Sequence, residues 1–374
     1  MRLFLAICIS FCALLGSAQN YYLFVGTYTT GKSKGIYVFQ FNSTNGEVVY
    51  VSNTDSCTNP SFLSVSPNGK YLYAVNETGR EQPGHISAFT FDKTIGKLLF
   101  INQQLSGGDD PCFVTTDQSG KWIVVANYSG GSLSTFPVNA DGSLQPYSQL
   151  IQHKGSSSNI ERQEKAHVHA TFFSPDYRYI LAPDLGMDKL MVYQFTASSK
   201  TPLKPAPVPF IASLPGSGPR HLAFHPNKKF AYLVEELTGT VKTFSYNKGL
   251  LYPIQTIATH PASYKGQPGS ADIHVSPDGK FLYASNRGEE NNLAIFSIDA
   301  FTGILTNKGY QAITGAQPRN FIIDPGGKYL LVANQKTNNI VVYKRDLLTG
   351  LLQPTLQQIE VPSPVCLQML EKGN

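Results

Sequence analysis

The chain has 374 residues, 41% of them hydrophobic and 15% charged, enough apolar material for a large packed core and too much for a disordered chain. The formal net charge of +5 comes from lysines and arginines scattered along the sequence, which argues against a nucleic-acid surface. With 20 Tyr, 22 Phe, 32 Gly and 24 Pro, the composition favours many short strands joined by tight turns.

The first segment stands apart from the rest. Arg2 gives a short basic start, Leu3 to Leu15 is apolar, and Gly16-Ser17-Ala18 supplies small residues before Gln19. That pattern predicts a secretory signal peptide over residues 1–18, cleaved after Ala18, and a periplasmic or secreted product. The apolar run is shorter than the roughly 20 residues that a spanning helix needs, so no membrane span is expected. Cleavage would remove Cys8 and Cys12. The remaining Cys57, Cys112 and Cys366 are odd in number, far apart and without a CxxC, which points to buried thiols rather than disulfides or a zinc site.

From residue 19 onward the chain is a repeat. The opening strand Tyr22–Tyr28 has no strand before it. Gly35–Phe41 follows with alternating large residues, then a hairpin turn at Asn45-Gly46. Ser66-Pro67-Asn68-Gly69 next turns the chain into Tyr71–Asn76, and this unit recurs as Ser276-Pro277-Asp278-Gly279 before Phe281–Asn286 and Asp324-Pro325-Gly326-Gly327 before Tyr329–Asn334. Weaker copies end at Asn127, Pro183 and Glu235. Successive copies at 76, 127, 183, 235, 286 and 334 are thus 51, 56, 52, 51 and 48 residues apart. A period near 50 with strand patterning and a turn in each copy is the mark of a propeller blade.

Outer hairpin turns at Asn45-Gly46, Ile95-Gly96, Asp141-Gly142, Ser198-Ser199-Lys200, Lys248-Gly249, Thr302-Gly303 and Thr349-Gly350 number seven, against six complete inner hairpins. The missing inner hairpin is divided between the termini: Pro364–Met369 matches Pro60–Val65, and Tyr22–Tyr28 matches Tyr71–Glu77. Pairing of the last strand with the first closes the ring without an exposed edge. The expected fold is all-β, one seven-bladed propeller of four-stranded antiparallel blades over residues 19–374. The longest insertions, Gln152–Lys165 and Thr201–Ser217, read as loops.

In such a ring the start of each blade's first strand and the end of its second gather at one mouth of the axial channel. The first set is Ser61, Cys112, His169, Arg220, Ala271, Arg319 and Val365; the second is Glu77, Tyr128, Asp184, Glu236, Arg287, Gln335 and Tyr28. One mouth is therefore expected to hold His169, Arg220, Glu236, Arg287 and Arg319, with Glu77, Asp184, Asp272 and His274 nearby. His167 shares a strand face with His169. Several guanidiniums suit an anionic ligand because they present paired donors to carboxylate or phosphate. Imidazole moves protons near neutral pH, and a carboxylate can orient it or act as the base itself. Arginines or backbone donors could hold an oxyanion. The set fits metal-free ester or lactone hydrolysis, or proton transfer next to a carboxylate.

Each residue has a plainer reading. A strand-end arginine can be a solvated ion pair, and Asp272 and His274 can be hydrogen-bonded spacers between blades. His85, His153, His221, His225 and His260 read as structural or surface residues, and Glu235 and Asn286 as contacts between blades. No GxSxG occurs, and no acidic loop has the spacing of a calcium site, so neither a serine triad nor a metal is expected.

His167-Val168-His169-Ala170 before Ser174-Pro175-Asp176, Gly218-Pro219-Arg220-His221 with Phe224-His225-Pro226, Glu235-Glu236-Leu237, Ala271-Asp272-Ile273-His274 with Arg287, Gln317-Pro318-Arg319 and the opening Val25-Gly26-Thr27-Tyr28-Thr29 resemble the seven-bladed propeller lactonase family. The resemblance spans residues 21–370. That family includes propeller-type 6-phosphogluconolactonases and fungal carboxy-muconate lactonizing enzymes. The resemblance implies cofactor-free hydrolysis of a sugar lactone, with His169, Glu236 and Arg220 as catalytic residues and Arg287, Arg319, His167, Asp272 and His274 as substrate-binding residues. Where relatives show Asn-Glu-Leu, this chain has Glu235-Glu236-Leu237. Export would favour an unphosphorylated aldonolactone over the phosphorylated sugar. A lactonizing cycloisomerase at the same mouth, or a non-catalytic propeller that binds a glycan or a protein, are the alternatives.

Overall fold

The recurring turn explains the recurring hairpin. In the computed structural model, which describes residues 20–55, 57–79 and 83–373, the Ser276 hydroxyl donates to Asp278 and accepts the Phe281 amide at 3.0 Å, while the Gly279 amide donates to the Ser276 carbonyl at 2.8 Å. Gly279 adopts φ 71°, a left-handed conformation that a residue with a Cβ resists. Ser66 and Ser174 tie their own turns in the same way.

Strands of about six residues emerge from these turns and pair into seven four-stranded antiparallel sheets. The ring closes as the sequence leads one to expect. Pro364–Glu371 pairs with Asn20–Thr27, which is followed in the same sheet by Tyr37–Asn42 and Val48–Asn53. Residues 1–18, read as a signal peptide, lie outside the described residues. Among the described residues, no helix is long and apolar enough to cross a membrane.

The core lies between neighbouring sheets. One cluster joins Leu23, Val25, Phe41 and Leu367 of the closing sheet to Leu331, Ala333, Ile340 and Val342 of the sheet before it. Tyrosines clasp several sheets to the next: the hydroxyls of Tyr73, Tyr232 and Tyr283 donate to the carbonyls of Gly142, Gly303 and Gly350 at 3.2, 3.1 and 2.7 Å. Asn286 stitches the same kind of joint, accepting from Thr259 and Ser270 and donating to the Thr259 carbonyl. Glu235 differs: its carboxylate takes the Thr240 hydroxyl of its own blade.

Two departures from regularity position the channel-lining groups. A register shift follows the first ladder pair of several inner strands, between Pro60 and Phe62, Pro111 and Phe113, Pro219 and His221, and Pro318 and Asn320. Each inserts one extra residue and bends the strand. In the sheet that contains Tyr179–Asp184 the first strand shrinks to Phe172–Phe173, and pairing resumes only at an isolated bridge between Val168 and Asp184, where the His167 amide bonds to the Asp184 carboxylate at 2.9 Å.

Candidate active site

The bulged residues Ser61, Cys112, Arg220 and Arg319 line one void on the channel axis together with His169 and Val365. The backbone turns left-handed two residues before each bulged residue, at Asn59, Asp110, Gly218 and Gln317. Gln317 takes φ 62° ahead of Pro318-Arg319, and Gly218 takes φ 67° ahead of Pro219-Arg220, with Leu237 only 2.6 Å from where a Cβ would stand. Tight turns of this kind feed the arginines inward.

Glu236 is the electrostatic centre. It is buried, and three guanidiniums surround it: Arg162 Nη2 at 2.7 Å, Arg220 Nε at 3.0 Å and Arg287 Nη2 at 3.1 Å. Burial pushes its pKa up, but Arg287, Arg220 and Arg162 together outweigh that and hold the carboxyl well below the usual range. Burial lowers the pKa of Arg220, Arg287 adds to that effect, and Glu236 opposes it. Arg220 also donates to the Ala271 carbonyl, and Arg287 Nε donates to the Gly269 carbonyl at 3.0 Å. Arg319 stands apart, its guanidinium 5.5 Å from the centre of the Tyr28 ring, whose hydroxyl donates to Glu77 at 2.9 Å. Among the described residues no carboxylate lies within salt-bridge distance of Arg319.

His169 faces this arginine cluster as a neutral imidazole. Burial lowers its pKa well below the ordinary value, and the charges of Arg220, His221 and Arg319 push it the same way. Its buried Nδ1 has no hydrogen-bond partner, and no hydrogen bond joins it to Glu236 among the described residues. The Tyr128 ring meets His169 edge-on at 5.3 Å and stacks on His167 at 4.5 Å. His167 is pinned on both sides, by the Tyr128 carbonyl at 3.1 Å and by Glu164 at 3.1 Å.

The structure thus brings together His169, Arg220, Glu236, Arg287 and Arg319, with His167 and Glu77 beside them. Three other residues expected near this mouth lie elsewhere. Asp184 turns away from the axis and pairs with His153 Nδ1 at 2.7 Å, and His153 Nε2 meets the Tyr193 hydroxyl at 2.7 Å. Asp272 and His274 line the opposite half of the channel. A further register shift falls between Ser270 and Ile273, so Ala271 and Asp272 cannot both face the arginines, and His274 lies farther along the strand. The Asp272 carboxylate takes His221 Nδ1 at 2.8 Å, His274 Nε2 at 3.0 Å and the Asn320 amide. Burial raises its pKa, but the two imidazoles outweigh burial and keep it ionised. His221, read as structural or surface, plugs the waist between the halves; burial and Arg220 pull its pKa down to about 4.

Arg162 was not singled out by the repeat. It arises in the insertion over residues 152–165, one of the loops that cross between blades on the arginine side. Cys57, Cys112 and Cys366 are all buried free thiols. Among the described residues no three His, Cys, Asp or Glu side chains are grouped to hold a metal ion.

Comparison with known proteins places the chain in a family. The family described as Lactonase, 7-bladed beta-propeller, matches residues 22–369. A 6-phosphogluconolactonase of Formosa agariphila is 42% identical over 93% of this chain and 99% of its own length. The 6-phosphogluconolactonase of Bacillus subtilis is 35% identical over 94% and 99%. Among solved structures, the periplasmic gluconolactonase of Pseudomonas aeruginosa superposes with a TM-score of 0.90 at 38% identity, covering 95% of this chain and 100% of that one. A Bacteroides fragilis protein described as a candidate 6-phosphogluconolactonase gives 0.90 at 46% identity over 94% and 98%.

Proposed function

The chain belongs to the seven-bladed β-propeller lactonase family, and from that premise we propose that its arginine-rich mouth hydrolyses an unphosphorylated aldonolactone with His169 as the general base. The observation that carries this is the neutral imidazole of His169, its buried Nδ1 without a partner, beside the guanidiniums of Arg220 and Arg319. The void that His169 shares with Arg220 and Arg319 holds about 10 Å³, close to the size of one water.

In this reading a water oxygen attacks the lactone carbonyl carbon while His169 takes its proton. Arg220 or Arg319 stabilises the oxyanion of the tetrahedral intermediate. Collapse re-forms the carbonyl and breaks the ring C–O bond, and the imidazolium returns its proton to the departing alkoxide. Arg287 and Arg319 bind the sugar hydroxyls, and His167 holds the Tyr128 wall. Glu236, already committed to three arginines, orients them and is too weakly basic to share the role of His169. Its surroundings are cationic, which supports a reaction without a divalent metal.

Two features favour the unphosphorylated substrate: the apolar N-terminal run with small residues at Gly16-Ser17-Ala18, and the likeness to a periplasmic gluconolactonase. The mature protein should open δ-gluconolactone with a kcat/KM at least tenfold above that for 6-phosphogluconolactone, with or without chelator. The reverse preference would overturn the substrate assignment, and loss of turnover with chelator would overturn the metal-free mechanism. Muconate derivatives should give no product. A glycan- or protein-binding propeller would be expected to show an aromatic mouth, whereas this mouth is built from arginines.

A further inference from the structure

The half of the channel facing away from the arginines contains a cavity of about 460 Å³, within the range that holds small organic ligands. It is cut off from the arginine mouth. The side chains of Phe62, His221 and Asn320 border both this cavity and the void of about 10 Å³ above it, so nothing larger than a water passes between them. From the geometry we propose that this cavity is a second binding site, for a neutral aromatic ring bearing a hydroxyl group, that is, a phenol.

Its walls suit a flat apolar ring. Phe62 and Phe113 stack at 4.0 Å between ring centres and Phe172 follows at 4.9 Å, giving a continuous aromatic surface that a further ring can extend. The polar end of the cavity selects a donor. The Asp272 carboxylate already accepts from His221, His274, Asn320 and the Phe321 amide, which leaves it no capacity for an incoming cation. His274 meets Asp272 through Nε2, which leaves Nδ1 for a ring hydroxyl, on a side chain 37% exposed at the cavity. A ring hydroxyl can donate there while its ring lies along the phenyl wall. An anionic ring meets the charge of Asp272, and a sugar laid against the phenyl wall would leave the hydroxyls on that side unpaired, with Ser64, Thr115, Thr116 and Gln368 as the other polar lining. The site stands independently of the lactone reaction, since it shares no reacting group with the arginine mouth.

The test is calorimetric titration of the full mature protein with phenol, benzoate and methyl glucoside. Wild type should bind one phenol per chain, with benzoate and methyl glucoside at least tenfold weaker. His274→Ala should raise the phenol Kd at least tenfold. Ala223→Phe, which fills the cavity with a further ring, should abolish binding in a protein that still unfolds cooperatively. If Ala223→Phe does not fold, the His274→Ala comparison decides alone. No phenol binding to wild type, unchanged binding in either folded variant, or tighter binding of methyl glucoside would overturn the proposal.

Discussion

Glu236→Gln isolates the charge that holds the arginine cluster together. The variant keeps the shape of the side chain and removes its charge, leaving Arg162, Arg220 and Arg287 facing one another over contacts that now span 2.7 to 3.1 Å. At charge separations near 4 Å and an effective dielectric of about 20, each lost attraction is about 4 kcal/mol before relaxation. Breaking one side of a buried ion pair typically costs about 3–5 kcal/mol net. Urea unfolding at pH 7 should therefore show the variant less stable by about that amount, with an unchanged denaturant slope. The pH dependence supplies a second check. The folded pKa of Glu236 is depressed, so its contribution is fully present above the unfolded value of about 4.3 and is lost as pH falls towards the folded one. The gap between wild type and variant should be constant from pH 6 to 8 and narrow only in the acid range. A gap below about 1 kcal/mol at pH 7, or one that persists unchanged at pH 3, refutes the electrostatic reasoning.

Three further outcomes are expected. If neutral His169 is the base, kcat/KM for lactone opening should stay flat as pH falls through the ordinary histidine pKa of about 6.5 and decline only at lower pH, because burial and Arg220 depress the value; a decline centred at or above 6.5 contradicts this. Arg162→Ala removes a partly exposed guanidinium from the insertion loop, so steady-state kinetics should show KM up about tenfold, while the melting curve moves by no more than about 1 kcal/mol of stability. Gly350→Ala places a methyl 2.3 Å from the Phe281 ring at a backbone φ of 76°, and unfolding should show a loss of about 2–4 kcal/mol with kinetics intact.

The fold was legible because one local solution repeats. The same Ser-Pro-Asp-Gly turn, the same alternating strand and the same outer Gly recur, and the tyrosines between them meet those glycines across every joint they clasp. Closure by the termini followed from counting seven outer against six inner hairpins. Alignment by position also brought Arg220, Glu236, Arg287, Arg319 and His169 to one place. It failed where the chain leaves the repeat. Arg162 comes from an insertion that no other blade copies. The bulges add a residue to the inner strands, so nearness in sequence did not settle which half of the channel Asp272 and His274 face. Asp184 holds a repeat position, yet His153, itself part of that insertion, captures its carboxylate.

The most direct test of the catalytic assignment is the turnover number of His169→Ala for δ-gluconolactone, measured alongside its circular dichroism and melting temperature. Loss of the neutral imidazole whose Nδ1 stands unpartnered at the water-sized void should lower kcat by about 10²–10⁴-fold while the propeller melts as before. A kcat within tenfold of wild type in a folded variant would contradict it.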